Sequence, residues 1–237
     1  MKKIALIGST GSIGRQAISV AERYPGRFRI VAMAANAGGE MFAHQVTQLR
    51  PEFAALRQEN ASMDLSCVPQ GTRFARGEAA FEEACAYADA DVVIIAVTGF
   101  AGLKALLLAA DAKKDIALAN KESLVAGGHL AMRRVKESGV RLMPVDSEHS
   151  AIWQCLQFDR GAPYSKLILT ASGGALRDVP LAQLEHVTAE QALAHPNWKM
   201  GAKITIDCAT MLNKGFEVIE AMHLYGAPLQ KIDVLVH

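Results

Sequence analysis

Two carboxylates stand two positions apart in the segment Pro144-Val145-Asp146-Ser147-Glu148-His149. The segment ends an apolar run over residues 140–145 that is typical of a buried strand. Because alternate side chains of an extended chain point the same way, we expect Asp146 and Glu148 to converge at the carboxyl end of that strand. Converging carboxylates repel each other unless a proton or a hard divalent cation lies between them. The pattern therefore indicates a ligand or cation site, and a solvated acidic turn is the alternative.

A second candidate site is the glycine-rich turn Gly8-Ser9-Thr10-Gly11-Ser12-Ile13-Gly14. It follows the short apolar run of residues 4–7 and precedes a helical pattern of apolar residues. Backbone N–H groups at the start of such a helix face the pyrophosphate of a bound dinucleotide. The G-x-x-G-x-x-G spacing is a variant of the usual fingerprint. In this context it predicts nucleotide binding, and a mere tight turn is the alternative.

The type of nucleotide depends on the turn after the second predicted strand, residues 28–33. The residues there are Ala34-Ala35-Asn36-Ala37-Gly38. NAD enzymes carry an aspartate or glutamate at this place that binds the ribose. Since this turn has neither acid, the sequence favours NADP.

Two further polar clusters follow predicted strands. Asn120-Lys121-Glu122-Ser123 closes the apolar run of residues 116–119 and carries more functional groups than a turn requires. A solvated surface charge is the alternative for Lys121. Ser172-Gly173-Gly174 follows a strand predicted over residues 166–170 and could lay a small hydroxyl against an anion. A flexible turn is the alternative there.

The segment His195-Pro196-Asn197-Trp198-Lys199-Met200 shows no repeating period. Loops with a large aromatic residue and a histidine are candidates for lids that close over a ligand. A buried structural tryptophan is the alternative.

Residues 207–221 are predicted to form one helix capped by Asp207. Asn213 and Glu217 are four residues apart and therefore share a face of that helix. Gly215 costs about 1 kcal/mol relative to alanine in a helix interior, which suggests that something approaches the backbone closely. Glu217 is either an ordinary surface residue or a third carboxylate for the site at Asp146 and Glu148.

Predicted strands and helices alternate along most of the chain. Continuous apolar runs such as residues 91–97 are typical of parallel strands buried on both faces. The polar clusters near Gly8, Gly99, Asn120 and Asp146 each follow a strand, so they should gather along one edge of a doubly wound sheet. We therefore predict an α/β protein with a Rossmann-like NADP-binding domain over residues 1–146 and a second α/β domain over residues 147–237.

Composition limits the class of partner. The 237 residues are 51% hydrophobic, which is ample for a core, and the formal charge of +1 with both signs interspersed argues against nucleic acid. A small molecule is therefore the favoured partner. The four cysteines are widely separated and form no C-x-x-C pair, as expected in a reducing cytosol. Since the sequence shows no signal-peptide pattern and no apolar run of roughly 20 residues, we expect a cytoplasmic protein that does not enter a membrane.

Six motifs, in order, resemble the 1-deoxy-D-xylulose 5-phosphate reductoisomerase family. They are the glycine turn, Leu118-Ala119-Asn120-Lys121-Glu122-Ser123, the segment from Pro144 to His149, Ser172-Gly173-Gly174, His195-Pro196-Asn197-Trp198, and Ala209-Thr210-Met211-Leu212-Asn213-Lys214-Gly215-Phe216-Glu217. The resemblance implies an NADPH-dependent, divalent-metal enzyme of the non-mevalonate isoprenoid pathway, a homodimer when full length. Such an enzyme rearranges and reduces 1-deoxy-D-xylulose 5-phosphate to 2-C-methyl-D-erythritol 4-phosphate.

The resemblance also implies roles for individual residues. Mg²⁺ or Mn²⁺ would be held by Asp146, Glu148 and Glu217, an all-oxygen set that suits these ions. Catalytic roles would fall to Lys121, Glu148 and His195. The substrate would contact Lys121, Ser147, Glu148, Ser172, His195, Cys208, Asn213, Lys214 and Glu217, and the cofactor would contact Thr10, Gly11, Ser12, Ile13, Asn36, Asn120, Glu122 and Gly201.

The chain departs from the family pattern at three places. Cys208 stands where family members generally have a phosphate-binding serine, and a thiol is a weaker donor. The turn at Asn36 lacks the basic residue that some members use on the 2′-phosphate. The sequence stops over residues 232–237, within a predicted strand, whereas the family continues with further strands and a helical C-terminal domain, so we expect the catalytic domain to be truncated.

Two other interpretations stay open at this point. A non-catalytic nucleotide-binding fragment is expected if the family's C-terminal part is needed to close the site. Another NADP-dependent dehydrogenase, such as a semialdehyde dehydrogenase, would need a nucleophilic cysteine. Cys155 lies beside Trp153 and Leu156 in an apolar helical pattern and is expected to be structural.

Overall fold

In the computed structural model, which describes residues 1–158 and 163–237, the chain divides into two units, Met1–Asp146 and Ser147–His237. The first unit carries a seven-stranded sheet and the second a two-stranded sheet. Both sheets are parallel and alternate with helices, which confirms the predicted α/β class.

The first unit, all of which the structure describes, is built on parallel strands whose order reverses in the middle. The strands are β1 (Lys2–Ile7), β2 (Phe28–Ala35), β3 (Phe53–Leu56), β4 (Arg73–Arg76), β5 (Val92–Ile95), β6 (Asp115–Leu118) and β7 (Leu142–Pro144). Their order in space is β4-β3-β2-β1-β5-β6-β7. The strand order therefore switches direction between β1 and β5, the kind of position at which open α/β sheets bind ligands.

Helices connect these strands and cover the sheet. They are α1 (Ser12–Arg23), α2 (Glu40–Leu49), α3 (Glu78–Cys85), α4 (Ala101–Asp111) and α5 (Glu122–Ser138), with a short 3₁₀ turn at Leu65–Cys67. The apolar pattern of the sequence misses β4, because Arg73-Phe74-Ala75-Arg76 is short and carries a charge at each end.

The core of the first unit explains why its strands are continuous apolar runs. Leu6, Met33 and Leu56 are fully buried in neighbouring strands, and Phe42 and Val46 of α2 pack onto them. Each such side chain contributes about 1.5–3 kcal/mol when it leaves water. The well-packed sheet gives a rigid edge from which the turns project.

The second unit packs helices around a parallel strand pair. Its elements are α6 (Ser147–Phe158), β8 (Leu167–Ala171), a 3₁₀ turn (Leu181–His186), α7 (Ala189–Leu193), α8 (Ala202–Ala209), α9 (Leu212–Tyr225), a second 3₁₀ turn (Leu229–Lys231) and β9 (Ile232–Val236). Leu167, Leu169 and Ile232 form its core with Ala221 of α9. Among the residues that the structure describes, no helix combines the length and the apolar surface needed to cross a membrane.

Three local predictions in the second unit are wrong. Helix α6 begins at Ser147, so Glu148 lies in a helical turn and the alternation expected of an extended segment does not apply. The helix predicted over residues 207–221 is two helices, α8 and α9, separated at Met211, whose φ is +60°, and Asp207 lies inside α8 rather than at a cap. A Cβ atom added at Gly215 would meet no described atom within 4 Å outside the helix's own backbone, so the close approach inferred there does not occur.

Candidate functional site

The glycine turn between β1 and α1 packs so tightly that two of its glycines admit no side chain. A Cβ atom on Gly8 would lie 2.5 Å from the carbonyl oxygen of Ala96, and one on Gly14 would lie 2.2 Å from that of Gly8. Gly11 is the N-cap of α1 and offers no side-chain hydrogen bond to the first helical turn. The N–H groups of that turn are therefore left for an anion.

Gln45, which belongs to none of the sequence motifs, supports this turn. Gln45 of α2 is buried and its Nε2 donates to the carbonyl oxygen of Ser9 at 3.0 Å. Ser9 is fully buried, and its Oγ has no hydrogen-bond partner within the described residues. The N–H groups of Gly8 and Ser9 both donate to Ala34 at the end of β2, at 2.8 and 3.1 Å, so this turn and the Asn36 turn share one edge of the sheet.

Asn120 ties the loop after β5 to the start of α5. Its Nδ2 donates to the carbonyl oxygen of Gly99 at 3.1 Å and to Glu122 at 2.9 Å, and its Oδ1 accepts from the N–H of Ser123 at 2.9 Å. Alanine would not fit at Gly102, because its Cβ would lie 2.0 Å from Asn120 Oδ1. Asn120 therefore fixes the conformation of this edge of the sheet, a role that the sequence pattern alone did not predict.

Lys121 is buried, so the surface-charge alternative is wrong. Only 7% of the residue is exposed, and its Nζ lies 3.3 Å from Oδ2 of Asp146, the last residue of the first unit. An ammonium held at this depth is positioned by its carboxylate partner rather than solvated.

In the second unit, Lys214 is the centre of a buried polar cluster. Its Nζ donates to Glu148 at 2.9 Å, to the carbonyl oxygen of Thr170 at 2.6 Å, and to Glu217. Asn213 donates to the other carboxylate oxygen of Glu217, which confirms that these two residues share a face of α9. Glu217 is only 1% exposed, so its interpretation as a surface residue is wrong.

Glu148 enters this cluster from the first turn of α6. Burial raises the pKa of its carboxyl group, but hydrogen bonds from Ser147 and Lys214, the charge of Lys214 and a backbone hydrogen bond together bring the pKa below its ordinary value. Glu148 is therefore ionised at neutral pH. Two carboxylates, Glu148 and Glu217, thus converge on one cation, and Asp146 stands two residues before Glu148 in the chain.

His195 lies next to Ser172, which the sequence had singled out separately. The His195 Nε2 and the Ser172 Oγ are 3.1 Å apart. His195 Nδ1 accepts from the N–H groups of Asn197 and Trp198, each at 3.1 Å, so in the neutral ring the proton is on Nε2, which donates to Ser172. Trp198 is 64% exposed, so the buried-tryptophan alternative is wrong.

Cys208 lies at the end of α8, against the glycines that follow β8. A Cβ atom on Gly174, whose φ is +71°, would lie 2.2 Å from the carbonyl oxygen of Cys208. This contact keeps the end of α8 beside the Ser172 turn. Gly201, expected at the cofactor, is the N-cap of α8. Cys155, expected to be structural, is instead exposed on α6.

The second unit also contains a buried pair that no sequence motif predicted. His149 Nε2 lies 3.3 Å from Glu220 Oε2, with His149 fully buried and Glu220 4% exposed. Tyr225 donates to the carbonyl oxygen of His149 at 2.7 Å. Glu220 is three residues after Glu217, and this helical spacing was the available signal.

Comparison with known proteins gives one family over both units. The sequence model of 1-deoxy-D-xylulose 5-phosphate reductoisomerase matches residues 4–128, and that of the C-terminal domain of the same enzyme matches residues 142–225. The reductoisomerases of Rippkaea orientalis and Shouchella clausii are each 48% identical to the chain over its full length. The chain spans 61% and 63% of these two relatives, respectively.

Solved structures agree with this result. The reductoisomerase from Zymomonas mobilis in complex with NADPH superposes with a TM-score of 0.90 at 40% identity, covering 99% of this chain and 61% of that one. A DOX-P reductoisomerase in complex with NADPH, fosmidomycin and magnesium gives 0.88 at 36% identity, covering 100% and 61%.

Proposed function

The chain belongs to the 1-deoxy-D-xylulose 5-phosphate reductoisomerase family, and from this premise we propose that it binds NADPH and a divalent cation and acts on 1-deoxy-D-xylulose 5-phosphate. The product would be 2-C-methyl-D-erythritol 4-phosphate, formed by rearrangement of the carbon skeleton and reduction by NADPH. The observation that carries the proposal is the convergence of Glu148 and Glu217 on the Lys214 ammonium, a preformed oxygen-donor set within one unit of the fold.

Cofactor binding rests on the glycine turn. The close packing at Gly8 and Gly14 and the lack of a side-chain cap at α1 fit the approach of a pyrophosphate. The buried hydroxyl of Ser9, which has no partner in the described part of the chain, fits it as well. Thr10, Gly11, Ser12 and Ile13 would line it, and Asn120 and Glu122 would border the nicotinamide half. Asn36 and Gly201 complete the proposed cofactor set. NADPH is expected over NADH because the Asn36 turn has no acid to repel a 2′-phosphate.

Metal binding rests on the donor set. Glu148 and Glu217 would supply carboxylate oxygens and Asp146 would supply a third, because ionised oxygens are the ligands that Mg²⁺ and Mn²⁺ prefer. When bound, the cation would polarise the carbonyl and hydroxyl oxygens of the substrate and stabilise negative charge that develops during the rearrangement. Lys121, held by Asp146, would hold the substrate by an ammonium contact.

Substrate recognition would divide along the second unit. Ser172, Asn213 and Lys214 would bind the phosphate, with Cys208 as a weak donor where family members generally have a serine. Ser147 and Glu148 would contact the carbon chain. His195, on the segment that carries the exposed Trp198, would donate to substrate oxygens and close the site, since its Nε2 proton already points at Ser172.

The proposal extends to a homodimer in the cytoplasm that accepts manganese as well as magnesium. The resemblance to the family and the widely spaced cysteines support it. The molecular mass in solution, measured by light scattering, tests the dimer directly.

A nucleotide-binding fragment without turnover is the second candidate. It is favoured by one observation, that the chain spans only 61% of the Rippkaea orientalis relative. The two candidates share NADPH binding and differ in catalysis.

The test has two stages. NADPH binding is measured by fluorescence titration, and NADPH oxidation is then followed with deoxyxylulose phosphate and Mg²⁺ or Mn²⁺. Oxidation that stops in excess chelator supports the full proposal, and binding without oxidation supports the fragment. A chain that binds no NADPH contradicts both.

Metal ligation is tested separately by titrating Mn²⁺ and observing the electron paramagnetic resonance of the free ion. Glu217→Gln should weaken Mn²⁺ binding while circular dichroism shows a folded chain. Equal Mn²⁺ affinity in the variant and the original would remove Glu217 from the ligand set.

A further inference from the structure

The turn that is expected to bind the ribose of the cofactor contains no positively charged side chain. Asn36, Ala37, Gly38 and Gly39 follow β2, and the next charged residue is Glu40. A missing acid removes repulsion of a 2′-phosphate, but attraction needs a positively charged donor close by. Such a donor must therefore come from a neighbouring strand.

Strand β3 supplies a candidate. It pairs with β2 so that Leu56 lies beside Ala35. Immediately beyond this pair the N–H of Arg57 donates to the carbonyl oxygen of Ala35 at 2.9 Å, and the N–H of Gln58 donates to that of Asn36 at 3.0 Å. Arg57 thus leaves the carboxyl edge of the sheet one strand away from Asn36, within the first unit.

The Arg57 guanidinium is fixed in place with donors to spare. Its Nε and Nη2 donate to Glu78 of α3 at 2.7 and 3.2 Å, and its Cζ lies 5.0 Å from the ring centre of Phe81. The side chain remains 33% exposed, and Nη1 makes no hydrogen bond to the described residues. A guanidinium already held in one orientation loses less entropy when it binds a phosphate.

The surrounding charges indicate how recognition would work. Lys104 also donates to Glu78, at 2.6 Å, and it lies 2.5 Å from Glu82. The cluster has two positive side chains, Arg57 and Lys104, and two negative ones, Glu78 and Glu82. Because these charges balance, the cluster produces no strong local electrostatic field. Selectivity would therefore come from directed N–H donors, which suit the planar geometry of a phosphate edge.

Arg76 is the other arginine at this edge and is less well placed. It pairs with Leu56 across β3 and β4, one strand farther from Asn36, or about 4.8 Å more. Its Nε is buried without a hydrogen-bond partner among the described residues. A buried Nε of this kind is poorly exposed to a ligand at the surface.

We infer that Arg57 binds the 2′-phosphate of NADPH and sets the preference for NADPH over NADH, an inference that rests on the proposed cofactor function. The residue replaces the basic side chain that the Asn36 turn lacks. It acts on cofactor choice and not on the reaction of the sugar phosphate.

The test compares ligands that differ only in this phosphate. Dissociation constants of the 237-residue chain are measured by calorimetry for NADPH, NADH, 2′,5′-ADP and 5′-AMP. Arg57→Met should raise those of NADPH and 2′,5′-ADP about 10-fold or more and leave those of NADH and 5′-AMP within about two-fold.

The chain provides a matched control in Arg73. This arginine also pairs with a glutamate of α3, Glu83, and also stacks on a ring, Phe53, at 4.0 Å, but it begins β4 and lies at the opposite edge of the sheet. Arg73→Met should leave all four affinities unchanged.

Each outcome decides a separate point. If the original chain prefers NADPH and Arg57→Met keeps that preference, or if the variant loses all four ligands equally, the inference is wrong and the proposed function stands. If the original chain binds neither dinucleotide, the proposed function is wrong. Should Arg57→Met fail to fold, Arg57→Lys decides, because weakened NADPH binding with unchanged NADH binding supports the inference and four unchanged affinities overturn it.

Discussion

Replacing the Lys214 ammonium should destabilise the second unit, because this group joins three of its elements. Lys214 projects from α9 to Glu148 on α6 and to the carbonyl oxygen of Thr170 on β8. Its third partner, Glu217, is 1% exposed. Lys214→Met keeps the length of the side chain but leaves the Glu217 carboxylate in the interior without this cation.

The expected size follows from the burial of the partners. Removing one member of a buried ion pair costs about 3–5 kcal/mol, since the remaining charge stays desolvated. Glu217→Gln should cost less, about 1–3 kcal/mol, because Lys214 still has Glu148 and Thr170. In the double variant no uncompensated charge remains at this position, so its cost should be smaller than the sum by about 1–3 kcal/mol.

Tryptophan fluorescence during urea unfolding is a suitable assay. The chain has two tryptophans, Trp153 and Trp198, and both lie in the second unit, so the signal reports that unit. Chelator in every sample keeps divalent cations away from the carboxylates. The matched control is the exposed pair Lys166 and Asp233, whose charged atoms are 2.7 Å apart with side chains about half exposed.

The cycle of Lys214→Met and Glu217→Gln should therefore show strong coupling, and that of Lys166→Met and Asp233→Asn should show less than about 1 kcal/mol. Additivity within about 0.5 kcal/mol at the buried pair would contradict this expectation. It would mean that the Lys214 ammonium does not compensate Glu217 in solution.

Two further predictions concern the first unit. Gly14→Ala should abolish detectable NADPH binding, because its Cβ would lie 2.2 Å from the carbonyl oxygen of Gly8. The Cβ of Gly11→Ala would lie 3.4 Å from the same oxygen, so this variant should bind NADPH better. Equal titration curves for the two folded variants would contradict this prediction. Hydrogen bonds from Arg57 and then Lys104 lower the pKa of Glu78 to about 2, from 4.5, so its stabilising contribution is present above pH 4.5 and lost as the pH falls towards 2. Carboxyl NMR should follow that titration and show a higher pKa for Glu78 in Arg57→Met, and an unchanged pKa would disprove the pairing.

The sheet of the first unit was predictable because it is buried on both faces. Short continuous apolar runs bounded by turn residues are typical of such strands, and glycines mark several of the turns between them. Strand β4 was not predictable from apolar pattern, because an edge strand needs only one neighbouring strand. Its two arginines, Arg73 and Arg76, also place their guanidinium groups over aromatic rings. A pattern of apolar residues cannot reveal such packing before the partner ring is known.

The candidate site was less predictable from local pattern. The expectation that Asp146 and Glu148 alternate in an extended segment is wrong, although Glu148 does meet Glu217 at the Lys214 ammonium. An acidic residue in the first turn is typical of a helix start, and Ser147-Glu148 carried that signal. The convergence on Lys214 could not be predicted from spacing, since 66 residues separate it from Glu148.

The break between α8 and α9 at Met211 has no signal in the sequence. The sequence there has no proline, and its helical period continues through the break. The structure nevertheless gives Met211 a φ of +60°, a conformation that costs a non-glycine residue on the order of 1–3 kcal/mol. Two backbone hydrogen bonds stabilise this corner. The N–H of Met211 donates to the carbonyl oxygen of Cys208 at 3.1 Å, and the N–H of Gly215 donates to that of Met211 at 3.0 Å.

The strained corner has a geometric consequence for the proposed phosphate site. In an uninterrupted helix Cys208 and Asn213, five residues apart, would be separated by about 140° around the axis and would face different directions. Because the chain turns at Met211, the end of α8 can pack against Gly174 while the start of α9 directs Asn213 and Lys214 into the buried cluster. The backbone strain thus lies at Met211, where α8 and α9 meet. Strain is expected to be retained at such a position if both helices contribute residues to one ligand site.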